Sequence, residues 1–285
     1  MLVSIRHGIT ALRPKQWTKN ILLFVAPFAA GLSFEKDMFW VLAGFVSFSL
    51  AASFGYIAND LRDIEFDRKN PRKSSRPFAA GVLSSKFGFV LMACILFFLF
   101  FIHLSFFNLK FDLIVLLYVI ITFTYSYGFK KIPVVEMFLV ASGFVLRLIA
   151  GAVVIDLKIS EWFLIVGGFG ALFVVASKRL TELKSHDSKD VRVVVTLYGH
   201  EFLQSCISVS VAVSITAYSF WAFSQTVNPF WFQMSAIPFV MALFRFNWLS
   251  DHGGAESPED TILEDKILIT LATLNLTALF LGIHS

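Results

Sequence analysis

The amino-acid sequence predicts an all-α polytopic membrane protein with about nine transmembrane helices. The chain of 285 residues is 57% hydrophobic and only 15% charged. Several apolar runs of roughly 18 or more residues are long enough to cross the hydrocarbon core as helices. A β-barrel would instead need short segments of alternating polarity, whereas these runs are continuous. We expect residues 1–285 to form a single membrane-embedded domain.

The predicted helices follow from apolar runs that are separated by polar or charged loops. The first and fourth runs are short, and we expect the first to be retained as a helix rather than removed as a signal sequence. The predicted spans cover roughly residues 18–34, 38–58, 87–107, 111–127, 133–155, 160–177, 203–225, 229–249 and 263–283.

The basic residues predict the orientation of the chain, because Lys and Arg are enriched in cytoplasmic loops. When the N-terminus is placed in the cytoplasm, nearly all of the 24 basic residues fall in cytoplasmic segments. The exceptions are Lys36, Lys110 and Lys158 in outward loops, and Arg147 inside a span. We therefore expect a multi-pass protein of the inner (plasma) membrane with a cytoplasmic N-terminus and cytoplasmic polar loops.

The loop after the second predicted span carries a dense cluster of opposite charges. On one helix, Asp60, Asp63 and Asp67 would point within about 60° of one another. Asn59 precedes them, and the basic run 68–77 follows at once. Oxygen ligands of this kind suit Mg²⁺, and Lys and Arg bind phosphate. The pattern predicts a metal–diphosphate site; the alternative is a solvated loop whose charges pair with one another or with anionic lipids.

Residues 59–67 form the motif NDxxDxxxD, which resembles the first Asp-rich motif of the UbiA superfamily of intramembrane prenyltransferases. RPKQWTKN at 13–20 and KSSRPFAAG at 73–81 are also similar to that superfamily. The resemblance covers essentially the whole chain. It implies a UbiA-like helix bundle in which acidic side chains hold Mg²⁺ around a diphosphate.

The loop after the sixth predicted span departs from the superfamily pattern. Most UbiA relatives carry a second Asp-rich motif there, whereas residues 177–199 read SKRLTELKSHDSKDVRVVVTLYG. Asp187 and Asp190 resemble a remnant of that motif, but Lys178 and Arg179 dominate the helix end. The exchange indicates a substrate with more phosphate charge, or with its charge in another place.

This variation resembles the branch of the superfamily that transfers a phosphoribosyl group. The branch implies phosphoribosyl pyrophosphate as the soluble donor, a polyprenyl (decaprenyl) phosphate as the lipid acceptor, and release of pyrophosphate at the cytoplasmic face. The segments that resemble it are residues 16–20, 59–77, 125–152, 177–183 and 245–268.

The resemblance assigns roles to individual residues. It implies that Asp60, Asp63 and Asp67 are catalytic and that, with Asn59, they bind Mg²⁺. The predicted substrate-binding residues are Lys19, Asn59, Lys73, Arg76, Tyr125, Tyr127, Lys130, Lys131, Arg147, Lys178, Arg179 and Glu182.

Two parts of this set remain open. Tyr125, Tyr127, Lys130 and Lys131 end the fourth predicted span, and which Tyr and Lys face the phosphates is ambiguous, since such residues are also ordinary interface anchors. Arg147 lies deep in a span, where a charge needs either a function or a partner. It is predicted either to bind a substrate phosphate or to form a structural ion pair.

Two other functions are weighed against the phosphoribosyl transfer. One is a UbiA-type prenyltransferase with a prenyl diphosphate donor and an aromatic quinone or haem precursor as acceptor, which the weak second acidic motif disfavours. The other is a lipid carrier, which is disfavoured because the charges gather at one membrane face. A homo-oligomer is left open, and no nucleic-acid partner is expected.

Overall fold

The computed structural model describes residues 2–31, 34–71, 73–184, 194–252 and 258–284. Within these ranges the chain consists of α-helices joined by 3-10 helices and turns, without any β-strand. The predicted all-α fold class is therefore confirmed. The α-helices are α1 (Leu2–Leu12), α2 (Val25–Ala29), α3 (Phe34–Arg62), α4 (Ile64–Lys69), α5 (Ser85–Phe106), α6 (Leu109–Ser126), α7 (Val135–Val153), α8 (Glu161–Lys184), α9 (His200–Ser224), α10 (Pro229–Asp251), α11 (Pro258–Glu264) and α12 (Lys266–His284).

Seven helices in the described part of the chain are long and apolar enough to cross a membrane. They belong to α3, α5, α6, α7, α8, α9 and α12. Large apolar side chains on α5, such as Phe97 and Leu104, are exposed, as expected where a helix faces lipid rather than water. The chain is an integral membrane protein.

The predicted count of nine spans is not confirmed within the described ranges. The first predicted span, 18–34, contains the end of a 3-10 helix, Pro14–Phe24, and the five-residue α2 in its described part. Pro27 lacks an amide hydrogen, so it fits the first turn of α2 but would interrupt a longer helix. The eighth predicted span, 229–249, coincides with α10, but α10 is not among the seven membrane-length apolar helices.

The chain divides into two compact units, here called unit 1 and unit 2. Unit 1 contains Met1–Val25, Ser33–Leu139 and Leu146–Leu157, and unit 2 contains Ala26–Leu32, Val140–Val145 and Lys158–Ser285. The Asp-rich motif belongs to unit 1. The basic segment that ends α8 belongs to unit 2.

Helix α3 forms the centre of unit 1, where it packs against α1, α5, α6 and the 3-10 helix Pro14–Phe24. Phe48 and Ile57 on α3 are fully buried. Helix α7 approaches the 3-10 helix so closely that a Cβ on Gly151 would lie 1.8 Å from the carbonyl oxygen of Leu23. Only glycine fits at this contact.

A chain of hydrogen bonds joins α3, α5 and α6 within unit 1. Ser47 Oγ lies 2.7 Å from His103 Nε2, and His103 Nδ1 lies 2.6 Å from Asp112 Oδ1. The order is that of a Ser-His-Asp triad, but Ser47 is buried in the interior of α3, where the backbone amides are engaged within the helix. The surroundings of Ser47 therefore lack donors for an oxyanion, and we assign this chain of hydrogen bonds a structural role.

In unit 2, α9 packs against α8 and α10, and α10 packs against α12. The hydroxyl groups of Tyr218 and Ser235 lie 2.8 Å apart, and the Asn275 amide donates a hydrogen bond to Tyr218 Oη at 2.9 Å. Hydrogen bonds between helices satisfy polar side chains that the apolar surroundings cannot. The three side chains therefore tie α9, α10 and α12 together.

Candidate active site

The Asp-rich motif lies where α3 gives way to α4. Helix α3 ends at Arg62 and α4 begins at Ile64, with Asp63 between them. The backbone hydrogen bonds from the Asp63 amide to Asn59 and from the Asp67 amide to Asp63 preserve a nearly helical register. The predicted continuous helix is thus interrupted at Asp63, and the three carboxylates divide between two sets of partners. The term acidic motif is used below for Asn59, Asp60, Asp63 and Asp67.

Asp60 and Asp67 share one guanidinium group. Arg76 Nη1 donates to Asp60 Oδ1 at 3.1 Å and to Asp67 Oδ2 at 2.6 Å. Both carboxylate side chains are only 2% exposed, whereas Arg76 is 25% exposed. The two buried carboxylates therefore share one nitrogen of a cation, which offsets part of their desolvation cost. Arg76 thus lies beside the acidic motif, and its predicted contact with a substrate phosphate stays a prediction.

Arg13 supplies a second cation to Asp60. Its Nη2 donates to Asp60 Oδ1 at 2.5 Å, and the guanidinium lies over the ring of Tyr56 at 5.2 Å from the ring centroid. Burial lowers the pKa of Arg13 from its ordinary value, and the neighbouring Asp60 carboxylate opposes that shift. The site-residue prediction missed Arg13, although it opens the segment RPKQWTKN.

Asp63 is paired with the 3-10 turn Phe129–Lys131, which follows α6. Lys130 Nζ lies 2.5 Å and 2.7 Å from the two carboxylate oxygens of Asp63, and 3.3 Å from Asn59 Oδ1. Lys131 is exposed. The structure therefore brings Lys130, rather than Lys131, to the acidic motif.

The acidic motif fits a hard divalent cation by its donor chemistry, since it offers carboxylate and amide oxygens only. Its side chains are not arranged as in a metal site, because Arg13, Arg76 and Lys130 each contact a carboxylate. Among the described residues, no group of three His, Cys, Asp or Glu side chains is arranged to hold a metal ion. A metal bound here would have to displace protein cations from the carboxylates.

Three further residues that were predicted to bind substrate, Lys73, Tyr125 and Tyr127, also belong to unit 1. Lys73 lies over the ring of Phe66, at 5.6 Å from its centroid. Tyr125 is half-buried near the end of α6. Tyr127 is 46% exposed, and its ring stacks on Phe123 with 4.3 Å between centroids.

Lys19 and Arg147 were both predicted to bind substrate. Lys19 lies in the 3-10 helix beside Asn20, which is fully buried. Arg147 is 4% exposed and donates to Asn20 Oδ1 at 2.6 Å and to Tyr118 Oη at 2.8 Å. It also lies over the Tyr118 ring, at 4.7 Å from the centroid. These contacts show Arg147 joining α7 to α6 and to the 3-10 helix.

In unit 2, the end of α8 carries Lys178, Arg179 and Glu182. Arg179 is buried, and its Nη1 donates to Glu182 Oε2 at 2.8 Å. Asp187 and Asp190, the predicted remnant of a second acidic motif, lie outside the described residues.

Comparisons with known proteins bear on the resemblance inferred from the motif. The model of the UbiA prenyltransferase family matches residues 21–280. A decaprenyl-phosphate phosphoribosyltransferase of Corynebacterium glutamicum is 35% identical over 277 residues, covering 93% of this chain and 82% of the relative. An enzyme of the same name from Mycobacterium tuberculosis is 36% identical over 272 residues, covering 93% and 90% of the two chains.

A similar fold is found among solved structures. A UbiA homologue from Archaeoglobus fulgidus bound to DMAPP and Mg²⁺ has a TM-score of 0.75 at 19% identity, and the match covers 95% of this chain and 97% of that chain. The structure of such a homologue bound to GPP and Mg²⁺ has a TM-score of 0.76 at 18% identity, with 98% and 100% covered. Together with the family match along most of the sequence, these findings establish that the chain belongs to the UbiA prenyltransferase family.

Proposed function

We propose that this chain is a glycosyltransferase (pentosyltransferase) that transfers the 5-phosphoribosyl group from phosphoribosyl pyrophosphate to a polyprenyl (decaprenyl) phosphate and releases pyrophosphate. The observation that carries the proposal is the acidic motif at the end of α3, met by cations from three other segments. The curated relatives described above support the choice of substrates, since they match 93% of this chain.

Asn59, Asp60, Asp63 and Asp67 would hold Mg²⁺. When bound, such an ion stabilises the negative charge that develops on departing pyrophosphate. The all-oxygen donor set of this chain supports the assignment.

The chain's own cations bind and orient the donor. Arg76 and Lys130 lie beside the acidic motif, where they can donate to phosphate oxygens, and Lys73 is close in sequence to Arg76. Arg presents a fork of donors that matches a phosphate, and Lys acts as a point charge. The other predicted substrate contacts are Lys19, Tyr125, Tyr127, Lys131, Lys178, Arg179 and Glu182. For Arg147, a substrate contact stays one of two predicted roles, beside the structural role that its contacts favour.

The reaction needs little acid–base chemistry. The bond between ribose carbon 1 and the pyrophosphate oxygen breaks, and its electron pair leaves with pyrophosphate. A lipid phosphate oxygen forms the new bond to carbon 1, which carries oxocarbenium character in the transition state. Because the attacking phosphate is already anionic, no general base is required, and positioning with electrostatic stabilisation supplies the acceleration.

The proposal extends to the setting of the reaction. We place the chain in the inner (plasma) membrane with a cytoplasmic N-terminus, so that the acidic motif meets the soluble donor at the cytoplasmic face. The excess of basic residues on that side supports this orientation. We treat residues 1–285 as one UbiA-like domain, in agreement with a family match that extends over residues from both units.

Transfer of labelled phosphoribose from the donor to polyprenyl phosphate by the purified protein in detergent, with Mg²⁺, tests the proposal. We expect Asp60→Asn and Asp63→Asn to lower the rate about 100-fold or more, since each removes charge that acts in the transition state. Glu65→Gln is the matched control, because Glu65 is an exposed acid of the same segment and pairs only with Arg68 among its described contacts. No labelled lipid from the wild-type chain would refute the phosphoribosyl transfer.

The same preparation distinguishes the alternative functions. Incubation with a prenyl diphosphate and an aromatic acceptor should yield no product. Prenylation of the acceptor, without transfer of phosphoribose, would instead favour the alternative suggested by the prenyl diphosphates bound in the Archaeoglobus homologues. Turnover in detergent, without any gradient, would exclude a lipid carrier.

A further inference from the structure

Arg13 reaches the acidic motif from the N-terminal segment, 47 positions away from Asp60 in the sequence. Its backbone lies in the left-handed region, with φ 53° and ψ 59°, at the residue that precedes the 3-10 helix Pro14–Phe24. Residues other than glycine are uncommon in that conformation, and such outliers persist where the surrounding contacts impose them. The conformation of Arg13 therefore points to a position fixed by its neighbours.

Contacts on both sides of Arg13 fix its backbone against α3. Ala11 is fully buried, and Ser53 on α3 donates its hydroxyl group to the carbonyl oxygen of Leu12 at 2.8 Å. On the other side, the indole nitrogen of Trp17 donates to Ser53 Oγ at 3.0 Å. The guanidinium is consequently aimed at Asp60 by a segment that is itself held in place.

The pairing of Asp60 is redundant. Asp60 receives hydrogen bonds from both Arg13 and Arg76, and Arg76 also binds Asp67. Arg13 has no other carboxylate partner among the described residues, and its side chain is 23% exposed. Arg13 can therefore leave Asp60 without leaving that carboxylate unpaired, whereas Arg76 cannot move without affecting two carboxylates.

The charges of the cluster nearly cancel before any ligand binds. Each of the three carboxylates has a cationic partner, supplied by Arg13, Arg76 or Lys130. A divalent cation added alone would leave excess positive charge in a partly buried site, which is unfavourable. A diphosphate that arrives with the metal supplies the missing negative charge and new acceptors for the displaced side chains.

We propose that Arg13 exchanges Asp60 for a phosphate oxygen during binding, so that the metal and the diphosphate bind cooperatively. Arg13 neutralises Asp60 while the donor is absent, and moves to a phosphate oxygen when the metal occupies the carboxylate. This inference rests on the function proposed above, in that it requires a metal at the acidic motif. It makes Arg13 a donor-binding residue that also suppresses binding of the metal alone.

Two binding measurements on the purified full chain in detergent test the exchange. Binding of Mn²⁺ alone is followed by the electron paramagnetic resonance signal of free Mn²⁺, and binding of labelled inorganic pyrophosphate is measured with Mg²⁺ present. We expect Arg13→Gln to bind Mn²⁺ alone about tenfold more tightly, because a competing positive charge is removed from Asp60. The same variant should bind pyrophosphate about tenfold more weakly, because one phosphate donor is lost.

Two further variants make the result specific. Arg13→Lys keeps the charge, so its affinity for Mn²⁺ alone should stay near that of the wild type. If Arg13→Gln does not fold, this variant still tests the exchange through its affinity for Mn²⁺. Arg6→Gln removes an exposed charge of α1 outside the cluster and should leave both affinities unchanged.

The outcomes separate this inference from the proposed function. Unchanged or weaker binding of Mn²⁺ by Arg13→Gln, or unchanged binding of pyrophosphate, would overturn the exchange. So would tighter binding of Mn²⁺ by Arg13→Lys. If the wild type bound neither Mn²⁺ nor pyrophosphate with Mg²⁺, the metal site would fail and the exchange with it, while the labelled transfer assay would still report on phosphoribosyl transfer itself.

Discussion

Replacing Arg147 with Met tests whether this buried guanidinium holds unit 1 together or binds a substrate phosphate. The side chain is 4% exposed and donates hydrogen bonds to Asn20 at 2.6 Å and to Tyr118 at 2.8 Å. Met is also long and unbranched, but it has no donor. The variant therefore loses both hydrogen bonds and leaves two polar groups without this partner in an apolar interior.

The expected magnitude follows from these two contacts. Hydrogen bonds to a charged group contribute about 1.5–3 kcal/mol each, so the pair contributes about 3–6 kcal/mol. Part of this is recovered, because the variant no longer buries a charge. We expect the free energy of unfolding to fall by about 2–4 kcal/mol. At roughly 2–4 °C per kcal/mol, the midpoint of thermal unfolding should fall by about 4–16 °C.

The assay combines thermal unfolding of the detergent-solubilised protein with the KM of the variant for both substrates. A structural role predicts a lower midpoint and unchanged KM values for the fraction that remains folded. Arg6→Met is the matched control, since Arg6 is an exposed guanidinium on α1 of the same unit and its loss should change the midpoint little. An unchanged midpoint together with a KM raised tenfold or more would refute the structural reasoning and identify a phosphate contact.

Two further predictions concern packing and pH. Gly151→Ala should lower the unfolding midpoint strongly, because the added Cβ would lie 1.8 Å from the carbonyl oxygen of Leu23. Gly168→Ala should be neutral or slightly stabilising, because its Cβ would meet nothing within 4 Å beyond its chain neighbours and the backbone of its own helix. The hydrogen bond from Arg245 holds the pKa of Asp265 below its ordinary value. The stabilisation of the folded state by this pair is thus present at pH values above the ordinary, unfolded-state pKa of about 3.9. It is lost as the pH falls through the lower, folded-state pKa. Asp265→Asn should therefore weaken the loss of thermal stability on acidification, and an identical acid limb in the variant would contradict this account.

Much of the fold was predictable because long apolar runs leave the chain few alternatives within a membrane. The runs at 87–107 and 111–127 correspond closely to α5 and α6. The run at 18–34 did not predict the 3-10 helix, because its composition does not reveal that Asn20 is buried against α3, where it donates to Ser49 at 2.9 Å. Hydropathy records how apolar a segment is, but not whether tertiary hydrogen bonds favour a 3-10 helix.

The candidate site was predictable only where its members are close in sequence. The spacing of the acidic motif and the basic run after it led to Arg76, which contacts Asp60 and Asp67. Lys130 was one of two neighbouring lysines that were predicted to bind substrate, and the sequence could not show which of the two lies beside the acidic motif. Arg13 was missed, because its contact with Asp60 depends on how the N-terminal segment packs against α3.

The Ser47–His103–Asp112 hydrogen-bond chain has a consequence for where the acidic motif lies. One imidazole contacts Ser47 on α3 through Nε2 and Asp112 on α6 through Nδ1, so three helices share a single ring as their polar contact. Imidazole can make both contacts at once because its two ring nitrogens are separate hydrogen-bonding groups. Loss of that ring would remove both contacts together, and the helix that bears the carboxylates would lose a lateral attachment to α5 and α6.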